Sequence, residues 1–209
     1  MVSLEPFFFT PEQQLHLLLI LYPILGAGIK YIDSAYDEHT FSKQSAFFLS
    51  PIIGIIWVLT MLISEWSATV LLAVLLGVLL KGKIDNKAHL LGFLSIIILI
   101  AIFGIVPTII PLLFLSAASV LDEVGHDIIG YNKKNFHSYR FRHQFSFYFF
   151  GRRYLMKVAI IYLVLIGLFP LEAFLAFLFF DETYIIMSLY SRSREERKAN
   201  NDKIQPNVQ

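Results

Sequence analysis

Three apolar stretches of this sequence, residues 46–80, 90–121 and 154–190, are each too long to cross a lipid bilayer once, and each has a break near its middle. As continuous helices they would run about 48 to 55 Å at 1.5 Å per residue, against a hydrocarbon core of about 30 Å. The breaks are Ser64-Glu65-Trp66-Ser67, Val106-Pro107 with Pro111, and Pro170-Leu171-Glu172. Proline removes a backbone donor and clashes with the preceding turn, and a charged, hydroxyl-rich segment seeks water, so each stretch is expected to fold back. A further apolar segment, 11–32, opens with Thr10-Pro11-Glu12-Gln13, the pattern of an N-cap, a proline at N1 and a capping-box glutamine. It crosses once. The residues before it lack the basic region of a secretory signal peptide, so this first helix is expected to be retained.

The expected fold is therefore all-α, a polytopic transmembrane helical bundle of about seven crossings. Some halves, such as 68–80, are short for a full span and leave room for a half-length helix. With 56% hydrophobic and only 16% charged residues, the chain is too apolar for a soluble domain of its size. Residues 1–190 read as one transmembrane domain, and 191–209, rich in Glu, Arg, Lys, Asn and Gln, as a polar, disordered cytoplasmic tail. There is no cysteine, which excludes disulfides and thiolate metal sites.

The placement of charge tests the crossing count independently, because the breaks were set by other residues. Of the 17 lysines and arginines, all but Lys157 fall on one side when seven crossings are drawn, and Lys157 lies one turn inside the membrane from that side, within snorkelling reach. By the positive-inside rule that side is the cytoplasm, with the N-terminus outside and the C-terminus inside. The expected location is the cell membrane, as a multi-pass protein.

Acidic residues concentrate on the same side. Asp33 and Asp37 are four residues apart at the inner end of the first helix, a spacing at which two carboxylates can share a divalent cation. Asp85 follows in the next inner loop, and Asp122 and Asp127 follow the fifth crossing. These five are the candidate metal ligands, with magnesium as the expected cofactor. Lys81, Lys83, Arg152 and Arg153 are the candidate binding residues for a phosphorylated substrate. Each acid also has a plain structural role open to it. Asp33 and Asp37 can pair with Lys30, Asp85 or Asn86 can cap the helix starting near Lys87, and Asp122 can mark the lipid boundary.

Asp181 and Glu182 stand near the middle of the last apolar stretch, where an unpaired charge costs about 2.5 to 3.5 kcal/mol. Asp181, Tyr184 and Ser188 share one helical stripe that should face the bundle, with Lys30 or Lys157 as the partner base. Asp181, Glu182 and Tyr184 thus form a candidate intramembrane polar centre. Glu123-Val124-Gly125-His126 has the Glu-x-x-His spacing of di-iron bundles, but once where those need it twice. Residues 136–154 interleave arginines with Phe and Tyr, as suits a segment in the headgroup layer.

The arrangement of Asp33, Asp37, Asp122 and Asp127 resembles that of the intramembrane prenyltransferases, whose aspartate-rich loops hold magnesium and an isoprenoid diphosphate. Those enzymes carry Asn-Asp-x-x-Asp where this chain has Ile32-Asp33-Ser34-Ala35-Tyr36-Asp37, and they are larger. The signatures of CDP-alcohol phosphotransferases, P-loops, zincins and Gly-x-Ser-x-Gly hydrolases are missing. Three readings follow. A magnesium-dependent enzyme acting at the cytoplasmic face on a phosphorylated lipid or isoprenoid accounts for the inner acids and bases. A small transporter or ion pathway accounts for Asp181 and Glu182. A structural or assembly subunit would use the polar residues as contacts. Membrane lipid is the expected surrounding partner, an anionic lipid or isoprenoid phosphate the expected ligand, and no nucleic acid is expected.

Overall fold

The computed structural model describes residues 10–80, 82, 86–132 and 154–204, and among these the chain is all helical with no strand. The helices are α1 (Pro11–Tyr36), α2 (Lys43–Ile63), α3 (Glu65–Leu80), α4 (Lys87–Phe103), α5 (Ile109–Asn132), α6 (Tyr154–Leu165) and α7 (Leu171–Ile204). Three of them, Pro11–Tyr36, Lys43–Ile63 and the Leu171–Lys198 part of α7, are long and apolar enough to cross a membrane.

Local chemistry sets most helix ends. Thr10 opens α1 with a reciprocal capping box: Gln13 N–H donates to Thr10 Oγ1 (3.3 Å) and Thr10 N–H to Gln13 Oε1 (2.9 Å). Ser64 adopts an extended conformation that ends α2, and its hydroxyl accepts from Ser67 N–H at 3.2 Å, which starts α3. Asn86 caps α4 through His89 N–H (2.9 Å), and Gly104 closes it in the left-handed conformation (φ 62°). The breaks expected near Ser64, Pro107 and Pro170 all separate consecutive helices. Helix α7 continues past Tyr190 into the polar sequence, as far as Ile204.

Helix α1 packs against α7 and α2, α2 against α3 and α4, α3 against α5, and α6 bridges α5 and α7. Six helices thus close a ring, and α4 lies against α2. Close approach needs small residues at two crossings. A Cβ on Gly26 would collide with the Phe180 carbonyl oxygen of α7, and one on Gly54 would lie 2.9 Å from the Gly92 carbonyl oxygen of α4. Buried hydroxyls link neighbouring helices: Tyr22 Oη lies 3.1 Å from Ser67 Oγ, and Ser50 donates to Ala88 O at 2.6 Å. The outer faces are apolar, with Phe48, Ile52, Ile55 and Leu59 exposed on α2 and Leu94, Ile98 and Ile102 on α4.

Candidate functional site

A cavity of about 330 Å³ lies between the helices, and all seven contribute to its wall. The contributing residues lie toward one end of the bundle: the last turns of α1 and α3, the first turns of α4 and α6, and the facing stretches of α2, α5 and α7. The wall carries the ionisable or hydroxyl side chains Lys30, Asp33, Asp37, His89, Asp122, Glu123, Asp181 and Tyr184. It also carries large apolar ones, among them Ile53, Trp57, Val74, Phe93, Ile96, Phe177 and Phe180. Trp57 and Phe180 meet edge to face there, with ring centroids 6.1 Å apart.

Asp33 is held from two other helices. His89 Nε2 of α4 lies 2.9 Å from its Oδ1, and the Tyr184 hydroxyl of α7 donates to its Oδ2 at 2.9 Å. Lys30, one turn earlier on α1, pairs with neither Asp33 nor Asp37, the plain structural role open to those acids, nor with Asp181. It donates to Glu38 Oε1 at 2.8 Å and stands 5.8 Å from the centre of the Tyr184 ring. Glu38 lies in the α1–α2 connection, beyond the helix end. Its Oε2 accepts from Ser191 Oγ at 2.5 Å, Ser191 Oγ lies 2.6 Å from Thr40 Oγ1, and Lys198 donates to Thr40 O at 3.2 Å. Burial alone pushes the Glu38 carboxyl up, but the hydrogen bonds from Lys30 and Ser191 and the Lys30 charge outweigh it, so it titrates below its ordinary value.

A second polar cluster lies deeper. Lys157 Nζ of α6 is 2.5 Å from Asp181 Oδ2 of α7 and 3.9 Å from Glu182 Oε1. Lys157 is therefore not a snorkelling base: its side chain is 6% exposed and turned into the bundle, because the Asp181 carboxylate offers it a partner that lipid does not. Asp122 of α5 accepts from Leu155 N–H (3.1 Å) and Met156 N–H (2.7 Å), so it caps α6 from another helix instead of marking a lipid boundary. A carboxylate there also suits the positive end of the α6 dipole.

No protein-family model, curated protein or solved structure matches this chain. The site therefore has to be read from its own geometry. Of the residues singled out in the sequence, Asp33, Asp37, Asp122, Asp181 and Tyr184 line this cavity, while Glu182 stands beside Lys157, 46% exposed. Lys81, Lys83, Asp85, Arg152 and Arg153 lie outside the described residues, as does the side chain of Asp127. Among the described residues no three His, Asp or Glu side chains stand close enough to hold a metal ion. Both oxygens of Asp33 and both of Asp122 accept hydrogen bonds.

Sequence reasoning missed His89, Glu38 and Trp57. His89 is the third residue after the capping Asn86, which puts it on the first turn of α4, but nothing local says that α4 turns that face toward α1. Glu38 and Ser191 are joined across 153 positions of sequence.

Proposed function

We propose that this chain is a multi-pass protein of the cell membrane with seven crossings, its N-terminus outside and its C-terminus in the cytoplasm, and that it is an enzyme acting on a phosphorylated lipid or isoprenoid. The single observation that carries the reading is a cavity whose wall combines ionisable side chains with large apolar ones, the two kinds of surface an amphiphile needs. Three helices of spanning length and the apolar outer faces of α2 and α4 support the membrane setting. The segments 81–86 and 133–153 and the end of α7 carry 13 of the 17 lysines and arginines, and Lys43 and Lys87 open α2 and α4, which supports placing the Asp33 end of the cavity toward the cytoplasm.

In this reading the apolar tail lies against Trp57, Ile96 and Phe180, and the head group sits beside Asp33 and His89. The Asp33 carboxylate orients the His89 ring, and the Tyr184 hydroxyl fixes that carboxylate in turn. An imidazole so held can donate or accept a proton at the head group. Lys81, Lys83, Arg152 and Arg153 belong to the segments joining α3 to α4 and α5 to α6, and would supply charge to phosphate oxygens. No step here runs through magnesium. The transporter reading rests on the Lys157–Asp181 pair, and chemical change in the ligand separates the two.

The test uses the protein's two tryptophans, of which Trp57 is in the cavity wall. Titration of the detergent-solubilised protein with geranylgeranyl monophosphate or dioleoyl phosphatidic acid should shift the emission saturably. Val74→Phe, which fills the apolar part, should weaken binding about ten-fold or more. Mass spectrometry of the bound amphiphile after incubation should find it altered by the wild type and intact with His89→Ala. An emission unmoved by either amphiphile, or Val74→Phe binding as tightly as the wild type, would remove the cavity from the argument. Ligand bound but recovered unchanged would favour transport.

A further inference from the structure

Lys30 differs from every other charged residue of the cavity wall whose partner is described. Asp33 is held by His89 and Tyr184, which are themselves wall residues. Asp122 is held by the amides that open α6, and Asp181 by Lys157, in a pair whose side chains are only 6% and 7% exposed. These partners are part of the packed bundle. Lys30 is held by Glu38, which comes from the connection after α1, is not part of the wall, and whose side chain is 25% exposed. Its ammonium is the one lysine or arginine charge among the described wall residues.

We infer that Lys30 is the residue that recognises the anionic head of the ligand, and that Glu38 is its internal competitor, a carboxylate that the phosphate displaces. This rests on the amphiphile reading above and specifies it: the head group is an anion met by Lys30, in addition to any bases of the loops. Three features make the exchange feasible. A lysine ammonium is a compact charge on a flexible stem, so it can turn from one oxygen to another without moving α1. The Glu38 carboxylate lies at the water-accessible end, so it loses little when released. Glu38 also keeps a second donor, Ser191 Oγ, after Lys30 leaves.

The same contact reaches the C-terminal extension of α7. Ser191 joins Glu38 to Thr40, Lys198 holds the Thr40 carbonyl, and Arg194 lies 5.1 Å from the centre of the Phe41 ring. Head-group binding at Lys30 therefore takes one partner from the carboxylate that ties this extension to the α1–α2 connection.

The experiment compares geranylgeranyl monophosphate with geranylgeraniol, which has the same tail and no phosphate, on the full-length protein in detergent. Lys30→Met should lower affinity for the monophosphate about ten-fold or more, the worth of one charge-assisted hydrogen bond, and leave geranylgeraniol unmoved. Glu38→Gln should raise affinity for the monophosphate several-fold, again with geranylgeraniol unmoved. A misfolded variant cannot produce that gain, so the second substitution guards the first. If both amphiphiles bind the wild type but Lys30→Met keeps its preference for the phosphate, or Glu38→Gln weakens it, the role of Lys30 is wrong and the amphiphile reading survives. If neither amphiphile binds saturably, both fall together.

Discussion

Removing the charge of Asp181 should destabilise the protein, and by an amount that the geometry of its pair with Lys157 sets. The two side chains are 2.5 Å apart and 7% and 6% exposed, so neither charge has water to fall back on. Breaking a buried pair from one side costs about 3 to 5 kcal/mol, because the surviving charge is left desolvated. Glu182 moderates that. Its carboxylate is 3.9 Å from the same ammonium and 46% exposed, so it can take up part of the role, and Asp181→Asn should sit near the lower end, about 3 kcal/mol. For a chain of this length that is a fall of about 6 to 12 °C in Tm. Lys157→Met should cost at least as much, since Asp181 would then stand beside Glu182 with no intervening cation.

The assay is thermal unfolding in detergent, followed by circular dichroism, for the two single variants and the double Lys157→Met/Asp181→Asn. A direct pair predicts that the double costs less than the sum of the singles, by about 2 kcal/mol or more. Additive effects, or an Asp181→Asn cost below about 1 kcal/mol, would refute the pair as a structural element. Stability near wild type together with lost amphiphile binding would instead assign Asp181 to function.

Acidification should loosen the α7 extension through Glu38. Its carboxyl titrates below the ordinary value, so the stability it contributes is complete above the unfolded pKa and is lost as pH falls through the lower, folded pKa. Unfolding midpoints measured downward from neutral pH should therefore drop more steeply below the ordinary carboxylate range in the wild type than in Glu38→Gln, and equal slopes would reject the assignment. The orientation is open to cysteine labelling, because the chain has no cysteine of its own. Ser191 is buried, so the probes belong at exposed Glu12 and Ser193. Glu12→Cys should react only from outside and Ser193→Cys only from the cytoplasm, and reaction of both from one side would exclude an odd number of crossings.

What was legible in the sequence is what local chemistry decides. Thr10 and the breaks near Ser64, Pro107 and Pro170 could be read directly, and the cap of α4 narrowed to Asp85 or Asn86, because a cap or a proline acts on backbone within a turn of itself. The helical continuation after Tyr190 could not. Residues 191–204 have the composition of a solvated tail, and the described part is tied down by tertiary contacts, Ser191 to Glu38 and Lys198 to Thr40, whose partners lie about 150 positions away. The choice of partner at Lys30 was equally hidden. Asp33 is the nearer acid along α1, yet His89 and Tyr184 occupy it, and both come from helices whose neighbours no local pattern names.

The same limitation explains why the acids could be placed by depth but not matched to their partners. A helix apolar all round, such as α3 or α4, gives no stripe from which its facing neighbour can be inferred, so sequence reasoning placed Asp33 and Asp122 at the cytoplasmic side and Asp181 near the middle of the membrane, and stopped. A low-dielectric interior, however, does not tolerate an unpaired charge, and each of these carboxylates needs a donor within hydrogen-bond distance. Three acids thus demand three sets of donors, and the helices that supply them, α4 and α7 to Asp33, α6 to Asp122 and again α6 to Asp181, are brought to the cavity by that demand. Apolar packing alone leaves such helices free to exchange neighbours at little cost. Polar pairing makes one arrangement the cheapest, and in doing so it leaves Lys30, held from outside the wall, as the charge with the most freedom to meet a ligand.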